Sequence, residues 1–381
     1  MRRFADLIGA LDASTHADAT MAALAVMEGG GSAADGAIAA ALVLGVVNPG
    51  ASGLGGGGFA LVYDAKTKRT TALDFRERAG ASIDGKILGT HGVPSGKVGA
   101  AVGIPGEPAG LVWLQKHYGK KTLAEDAAPA AAIARDGFPL APHLEGTAMA
   151  FRKRLEDDGE LVRALYKDPT PAKATTVPVG AIVKRPQLAA TLERFGREWD
   201  SVYYQSLAPQ SVAAAKKFGG TRTEAELASY TVEERAPLVG QFGGRTVFTM
   251  PAPSAGGLML LENLTLFGAD KSSELFAKGF GSSESYHLIA EGMRGAYADR
   301  MAHVGDPKIV ATVTQDVAND LAAARLAARR KSISSDATHD SAFFASREGG
   351  TTHLVVVDKE GNVVSLTTTV NSPFGSGIEV A

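Results

Sequence analysis

Apolar and polar positions alternate most clearly near the end of the chain. Thr351-Thr352-His353-Leu354-Val355-Val356-Val357 and Val363-Val364-Ser365-Leu366-Thr367-Thr368-Thr369-Val370 are rich in β-branched residues, and the polar turn Asp358-Lys359-Glu360-Gly361-Asn362 separates them. This pattern predicts a β-hairpin. A five-residue loop pairs residues whose numbers sum to 720, which sets Thr351 opposite Thr369. Asn371, two residues beyond Thr369, is expected on the same face. A bulge in either strand would break that arrangement.

Upstream the period changes. Met21 to Met27 reads as a short apolar helix stopped by Gly29-Gly30-Gly31. Ser32 with Asp35 three residues on resembles a capping box, with Asp in place of Glu. The Ala-rich helix that follows is apolar on nearly all sides through Val47, the mark of a buried helix, and Asn48-Pro49-Gly50 ends it. After the run Gly53 to Gly58, Phe59–Asp64 and Thr70–Phe75 alternate around Lys66-Thr67-Lys68-Arg69 as a second hairpin. Helical spacing returns from Gly106 to Arg135, and residues 140–300 read as mostly helical with Pro-led loops. Residues 311–350 are Ala- and Ser-rich and polar, the composition of an exposed linker. No internal repeat is visible, so residues 1–381 are expected to form a single α/β domain with a loose segment just before Thr351.

Composition narrows the function. Of 381 residues, 45% are hydrophobic and 21% charged, enough for a well-filled core. The net charge of −2 and the lack of a long basic block argue against a nucleic-acid or membrane-surface partner. The absence of cysteine excludes disulfides, cysteine nucleophiles and thiolate metal sites, and the eight histidines show no metal-ligand spacing. The most apolar stretch, Ala37 to Val47, is too short to cross a bilayer. Arg2 and Arg3 suit the start of a signal peptide, but Asp6 and Asp12 interrupt the apolar core such a peptide needs. As written the chain is expected to stay in the cytoplasm unless its start is missing.

Several stretches are candidates for chemistry. Gly53-Leu54-Gly55-Gly56-Gly57-Gly58 matches G-x-G-x-x-G by letter, but a helix precedes it and a strand follows, the reverse of a dinucleotide site. It reads instead as backbone that passes close to another element. Ser95-Gly96-Lys97 lacks the rest of a phosphate loop and reads as a turn. Asp74-Phe75-Arg76-Glu77-Arg78 is either a solvated strand end or a place where an arginine fork clamps a carboxylate. Tyr297-Ala298-Asp299-Arg300 with Gly305-Asp306-Pro307 reads as a helix end and turn with internal ion pairs, and His353 as a structural strand residue. Thr351 follows Gly349-Gly350. Cleavage after Gly350 would free an α-amino group, with a pKa of about 7.7–8.0, beside the threonine hydroxyl as its base. Strand propensity is the competing explanation of the Thr-Thr pair.

With these motifs in view, the chain resembles the γ-glutamyltranspeptidase family of N-terminal nucleophile hydrolases. The resemblance runs through Gly30-Gly31-Ser32-Ala33-Ala34-Asp35-Gly36-Ala37, the glycine run ending in Phe59, Asp74-Phe75-Arg76-Glu77, Pro253-Ser254-Ala255-Gly256-Gly257 and Asp299-Arg300 with Gly305-Asp306-Pro307. Its most specific block spans Thr351-Thr352-His353 to Asn371-Ser372-Pro373-Phe374-Gly375-Ser376-Gly377. It implies an αββα sandwich made as one precursor and cut before Thr351, with residues 1–350 as the large-subunit region and 351–381 as the start of the small one. It also implies the roles: Thr351 is the nucleophile, Thr369 hydrogen-bonds it, Arg76 binds the α-carboxylate of a γ-glutamyl group, and Asn371 helps hold its α-amino end. The implied activity is γ-glutamyl transfer and hydrolysis, with glutathione as donor and water or an amino acid as acceptor. No cofactor and no metal is required, and members are typically periplasmic or secreted.

The sequence departs from the family after the cut, where 31 residues remain. The segment that supplies the family's acidic partner, serine pair and Gly-Gly oxyanion hole has no counterpart among them. The sandwich is therefore expected to be incomplete at its C-terminal end, with the last strands lacking sheet neighbours and the chain alone inactive or poorly folded. Two rival readings stand beside transferase activity: a glutaryl-type cephalosporin acylase of the same fold, and a truncated, non-catalytic chain.

Overall fold

A computed structural model describes residues 11–81, 83, 99–155, 159–268, 275, 277–335, 337–338 and 351–380. The capping box at Ser32 forms as its spacing requires. Ser32 Oγ accepts the amides of Ala34 and Asp35, and the Asp35 carboxylate accepts the Ser32 amide at 2.6 Å. Helix Ala33–Val47 then runs almost wholly buried. Its Gly36 lets the backbone approach the sheet, where an added Cβ would lie 3.1 Å from Val356.

Twelve strands are described: β1 Leu11–Ala13, β2 Gly57–Asp64, β3 Arg69–Phe75, β4 Phe138–Pro139, β5 Tyr166–Asp168, β6 Thr175–Thr176, β7 Ile182–Val183, β8 Glu233–Arg235, β9 Leu238–Phe242, β10 Arg245–Thr249, β11 Thr351–Val357 and β12 Val363–Thr369. Six form one sheet in the order β1-β11-β12-β2-β3-β8. β11 and β12 pair antiparallel from Val357 with Val363 to Thr351 with Thr369, the register predicted from the loop length. The turn explains why no bulge intervenes. Asp358 accepts the amides of Glu360 and Asn362, and its other oxygen accepts the Ala33 amide at 3.1 Å, which pins the hairpin tip to a helix N-terminus.

The expectation that the last strands lack neighbours is wrong. β11 is flanked by β1, with Leu11 opposite Val357, and β12 by β2, with Thr369 opposite Gly57. Early residues supply both neighbours, so the hairpin lies inside the sheet rather than at an edge. Alternation follows: Leu354, Val356, Val364 and Leu366 are buried in the main core with Ile38, Val43, Ala60 and Val62.

The chain divides into two compact units. One comprises Met1–Arg69, Leu73–Glu233 and Glu348–Ala381 and holds the main core. The other comprises Thr70–Ala72 and Glu234–Arg347. In it, two expectations are corrected. The region read as mostly helical includes the β9–β10 hairpin, closed by Gly243 and Gly244, both at positive φ. The segment read as linker contains helices Val313–Asp320 and Ala323–Ser332, because Leu326, Val313 and Val317 bury apolar faces. Residues 339–350 of that segment lie outside the described residues, as do Arg2, Arg3 and Ser95-Gly96-Lys97.

Candidate active site

The site is assembled by backbones that touch without side chains between them. At Gly56 an added Cβ would lie 2.1 Å from the Thr369 carbonyl oxygen, at Gly57 2.5 Å from the Phe75 oxygen, and at Gly58 2.0 Å from the Thr367 oxygen. Only glycine allows that approach. The close-contact reading of the glycine run holds, with helix Ala33–Val47 before it and β2 after it.

Register brings the backbones of Thr351 and Thr369 side by side. Thr369 is buried, and its Oγ1 accepts the Asn371 amide at 2.9 Å. Asn371 reaches this position by a turn rather than by continued strand: β12 stops at Thr369, the Val370 amide donates to Ala51 O, and Asn371 adopts φ 66°. The Thr351 side chain lies outside the described residues.

Arg76 leaves the end of β3 and donates from Nη2 to Asn371 Oδ1 at 2.7 Å, while its guanidinium lies 5.9 Å from the Phe59 ring centroid. Asn371 Nδ2 donates in turn to Glu77 Oε1 at 3.2 Å, and Glu77 Oε2 is 3.6 Å from Arg76 Nε. The three predicted residues Arg76, Asn371 and Thr369 thus converge, and Glu77 joins them. Burial raises the Glu77 carboxyl above its ordinary range, against the opposing charge of Arg76 and the Asn371 hydrogen bond. This cluster offers a half-exposed cation and an adjacent acid about one amide apart. That is complementary to a group bearing a carboxylate and an ammonium on one carbon.

A second acid was not legible beforehand. Glu107 opens helix Glu107–Tyr118, is 1% exposed, and accepts the Thr368 hydroxyl from the helical side of the sheet. Burial foremost pushes its pKa up to about 8, and the charge of Glu77 adds to this. In the sequence, Gly106-Glu107-Pro108 shows only an acid in the first turn of a helix, a position that usually faces solvent. His353 donates to or accepts from Thr367 Oγ1 through Nδ1 at 2.8 Å, and burial lowers its pKa, so it is a neutral strand residue. In the second unit, Asp299, His303 and Asp320 cluster in a way that could suit a metal ion. Arg325 already contacts both acids there, and Arg329 contacts Asp299. Asp299 lies near the end of helix Ser283–His303, as read from the sequence, but its ion pairs are made with Arg325 and Arg329 rather than within its own segment.

A family model described as Gamma-glutamyltranspeptidase matches residues 19–381. The glutathione hydrolase proenzyme of Escherichia coli (strain K12) is 33% identical over 376 residues, which cover 96% of this chain and 63% of that protein. The chain therefore spans just under two thirds of the length of this curated relative. The crystal structure of Helicobacter pylori γ-glutamyltranspeptidase superposes with a TM-score of 0.74 at 31% identity, covering 86% of this chain and 92% of that one. Cephalosporin acylase from Bacillus halodurans superposes with a TM-score of 0.81 at 28% identity, covering 98% and 67%.

Proposed function

This chain belongs to the γ-glutamyltranspeptidase family, and we propose that it carries the nucleophile and substrate clamp for γ-glutamyl transfer and hydrolysis, with glutathione and related γ-glutamyl amides as donors. The observation that supports this best is the pairing of Thr351 with Thr369 beside the Arg76–Asn371–Glu77 cluster. Scission of the Gly350–Thr351 peptide leaves Thr351 with a free amine. That amine takes the hydroxyl proton as Oγ attacks the γ-carbonyl carbon. The amide C–N bond breaks, the proton passes to the departing amine, and an ester to Thr351 remains. Water or an amino-acid amine then attacks the ester and releases the γ-glutamyl group. Thr369 steadies the nucleophile, Arg76 holds the donor α-carboxylate, and Asn371 with Glu77 holds its α-amino group. Large and small subunits from one precursor follow from the same scission.

The test is the intact mass of the purified chain alongside Thr351→Ala. Two fragments meeting between Gly350 and Thr351, absent from the variant, are expected, with turnover of γ-glutamyl-p-nitroanilide by the cut protein, an outcome that would overturn the expectation that the chain alone is inactive. An uncut chain that behaves like the variant would refute the reading.

The likeness to a cephalosporin acylase favours a second reading, hydrolysis of glutaryl amides. A glutaryl group has no α-amino group, so it would offer no cation to the acid at Glu77, which would keep only Asn371 and Arg76. Parallel assays on γ-glutamyl and glutaryl anilides separate the two, and γ-glutamyl preference that falls on Glu77→Gln is expected.

A further inference from the structure

Glu107 is a buried acid that meets β12 at Thr368, the residue before Thr369. Its carboxylate accepts the Thr368 hydroxyl. Its own amide and that of Gly106 both donate to Gly56 O, at 3.0 and 2.9 Å. One residue therefore fastens the glycine loop through its backbone and β12 through its side chain. Thr368 is the neighbour of Thr369, and Gly56 is the glycine in contact with the Thr369 carbonyl. The adjoining cavity of about 20 Å³ is lined mainly by aliphatic side chains, among them Ala41, Leu42, Leu188 and Leu192. The second oxygen, Oε1, has no hydrogen-bond partner among the described residues.

We propose that Glu107 is a positioning residue for the Thr351–Thr369 pair, clasping β12 to the glycine loop so that chemistry at Thr351, rather than donor binding at Arg76, depends on it. This rests on the acyl-transfer reading above. Glu77 is the charged group that faces Glu107, no cation lies among its partners, and the helices packed on it present aliphatic side chains. Ionisation would strengthen the Thr368 hydrogen bond but bury a charge near Glu77 with no cation beside it. Burial outweighs the hydrogen bond, so the packed clasp favours the protonated acid and loss of that proton favours an opened, hydrated one. With Glu107 pushed up to about 8, loosening falls within an assayable range.

The experiment compares wild type, Glu107→Leu and Glu107→Gln in the whole chain. Glu107→Leu is expected to lower kcat on γ-glutamyl-p-nitroanilide by about tenfold or more while KM stays within about threefold, because a displaced Thr369 spoils geometry at the nucleophile while Arg76 keeps its own place at the end of β3. Glutamine keeps a neutral hydrogen-bonding group, so Glu107→Gln should restore most of the rate and abolish the alkaline decline expected of wild type near pH 8. A change in KM alone, or an unchanged alkaline limb in Glu107→Gln, would overturn the proposal. If Glu107→Leu does not fold, the Glu107→Gln profile decides alone. If wild type neither cuts itself nor turns over substrate, the acyl-transfer reading fails, and amide hydrogen exchange decides the positioning role. Between pH 7 and pH 9, exchange at residues 368–371 in wild type should then rise about tenfold more than the chemical trend accounts for, and in Glu107→Gln it should follow that trend. Identical pH dependence in both would overturn it.

Discussion

Gly56→Ala isolates the backbone contact on which the site rests. The added Cβ would sit 2.1 Å from the Thr369 carbonyl oxygen and 3.0 Å from its carbon. A carbon–oxygen contact needs about 3.3 Å, so loop and strand must part by about 1 Å at the residue beside the nucleophile. Overpacking of this kind costs about 1–3 kcal/mol of stability. A 1 Å displacement of a reacting group can cost about 10²-fold in rate. The adjacent Gly55 is the internal control, since a Cβ there meets nothing within 4 Å and its φ is not positive. Gly55→Ala should therefore match wild type in melting temperature and rate, while Gly56→Ala melts lower and loses about 10²-fold in kcat/KM on γ-glutamyl-p-nitroanilide. The rate of the cut before Thr351, followed by intact mass, gives a second readout of the same displacement. If Gly56→Ala and Gly55→Ala prove indistinguishable in melting and in both rates, the contact does not set the site's geometry.

Three further outcomes follow from the same coordinates. Arg76→Lys loses the planar fork and the hydrogen bond to Asn371, so KM for the γ-glutamyl donor should rise about tenfold with kcat little changed, as read by initial-rate kinetics. Asp126 is pushed up to about 8, by burial first and then by the charge of Asp35. The native state therefore keeps a proton that the unfolded chain releases above about pH 4, and stability falls as pH rises from there to about 8, by up to about 1.4 kcal/mol per pH unit. Asp126→Asn should flatten that slope in urea titrations at several pH values, and an unchanged slope would count against the buried acid. Asp299 binds Arg325 through both oxygens, at 2.6 and 2.7 Å, and also meets Arg329. Asp299→Asn removes one carboxylate from two guanidinium groups, which keep Asp320 and Glu262 respectively, and should destabilise the second unit by about 2 kcal/mol, measured by denaturant unfolding.

What could be read from the sequence was local chemistry with a fixed geometric consequence. Ser32 and Asp35 close a capping box because each satisfies the other's amide, and the 358–362 turn sets the register because Asp358 binds the amides that a longer loop would leave free. The β9–β10 hairpin carried an equally local sign, Gly243-Gly244 between Phe242 and Arg245, which suits a two-residue turn with positive φ at both positions. Helix Ala323–Ser332 was disguised for a different reason. Arg325 and Arg329 make the segment look solvated, yet they face the buried acids Asp299 and Glu262 contributed from far upstream. Glu107 was hidden in the same way: its burial depends on Thr368, 261 residues away in sequence. Charge patterns report exposure only when the partners are near in sequence, and here they are not.

The glycine run joins these two levels. Three successive glycines meet two backbones in alternation: Gly56 meets β12 at Thr369, Gly57 the end of β3 at Phe75 to Glu77, and Gly58 β12 again at Thr367. The run thus acts as a spacer with no side-chain thickness between the strand that carries Thr369 and the one that delivers Arg76. Side-chain packing tolerates compensating substitutions, because a neighbour can fill or yield space. Contact between backbones does not, because neither partner has a rotamer to change. Substituting Arg76 should therefore alter donor binding while leaving Thr369 where it is, whereas substituting Gly56 should disturb both together. A run that matches a dinucleotide fingerprint only by letter serves here to bring nucleophile partner and substrate clamp within one amide of each other.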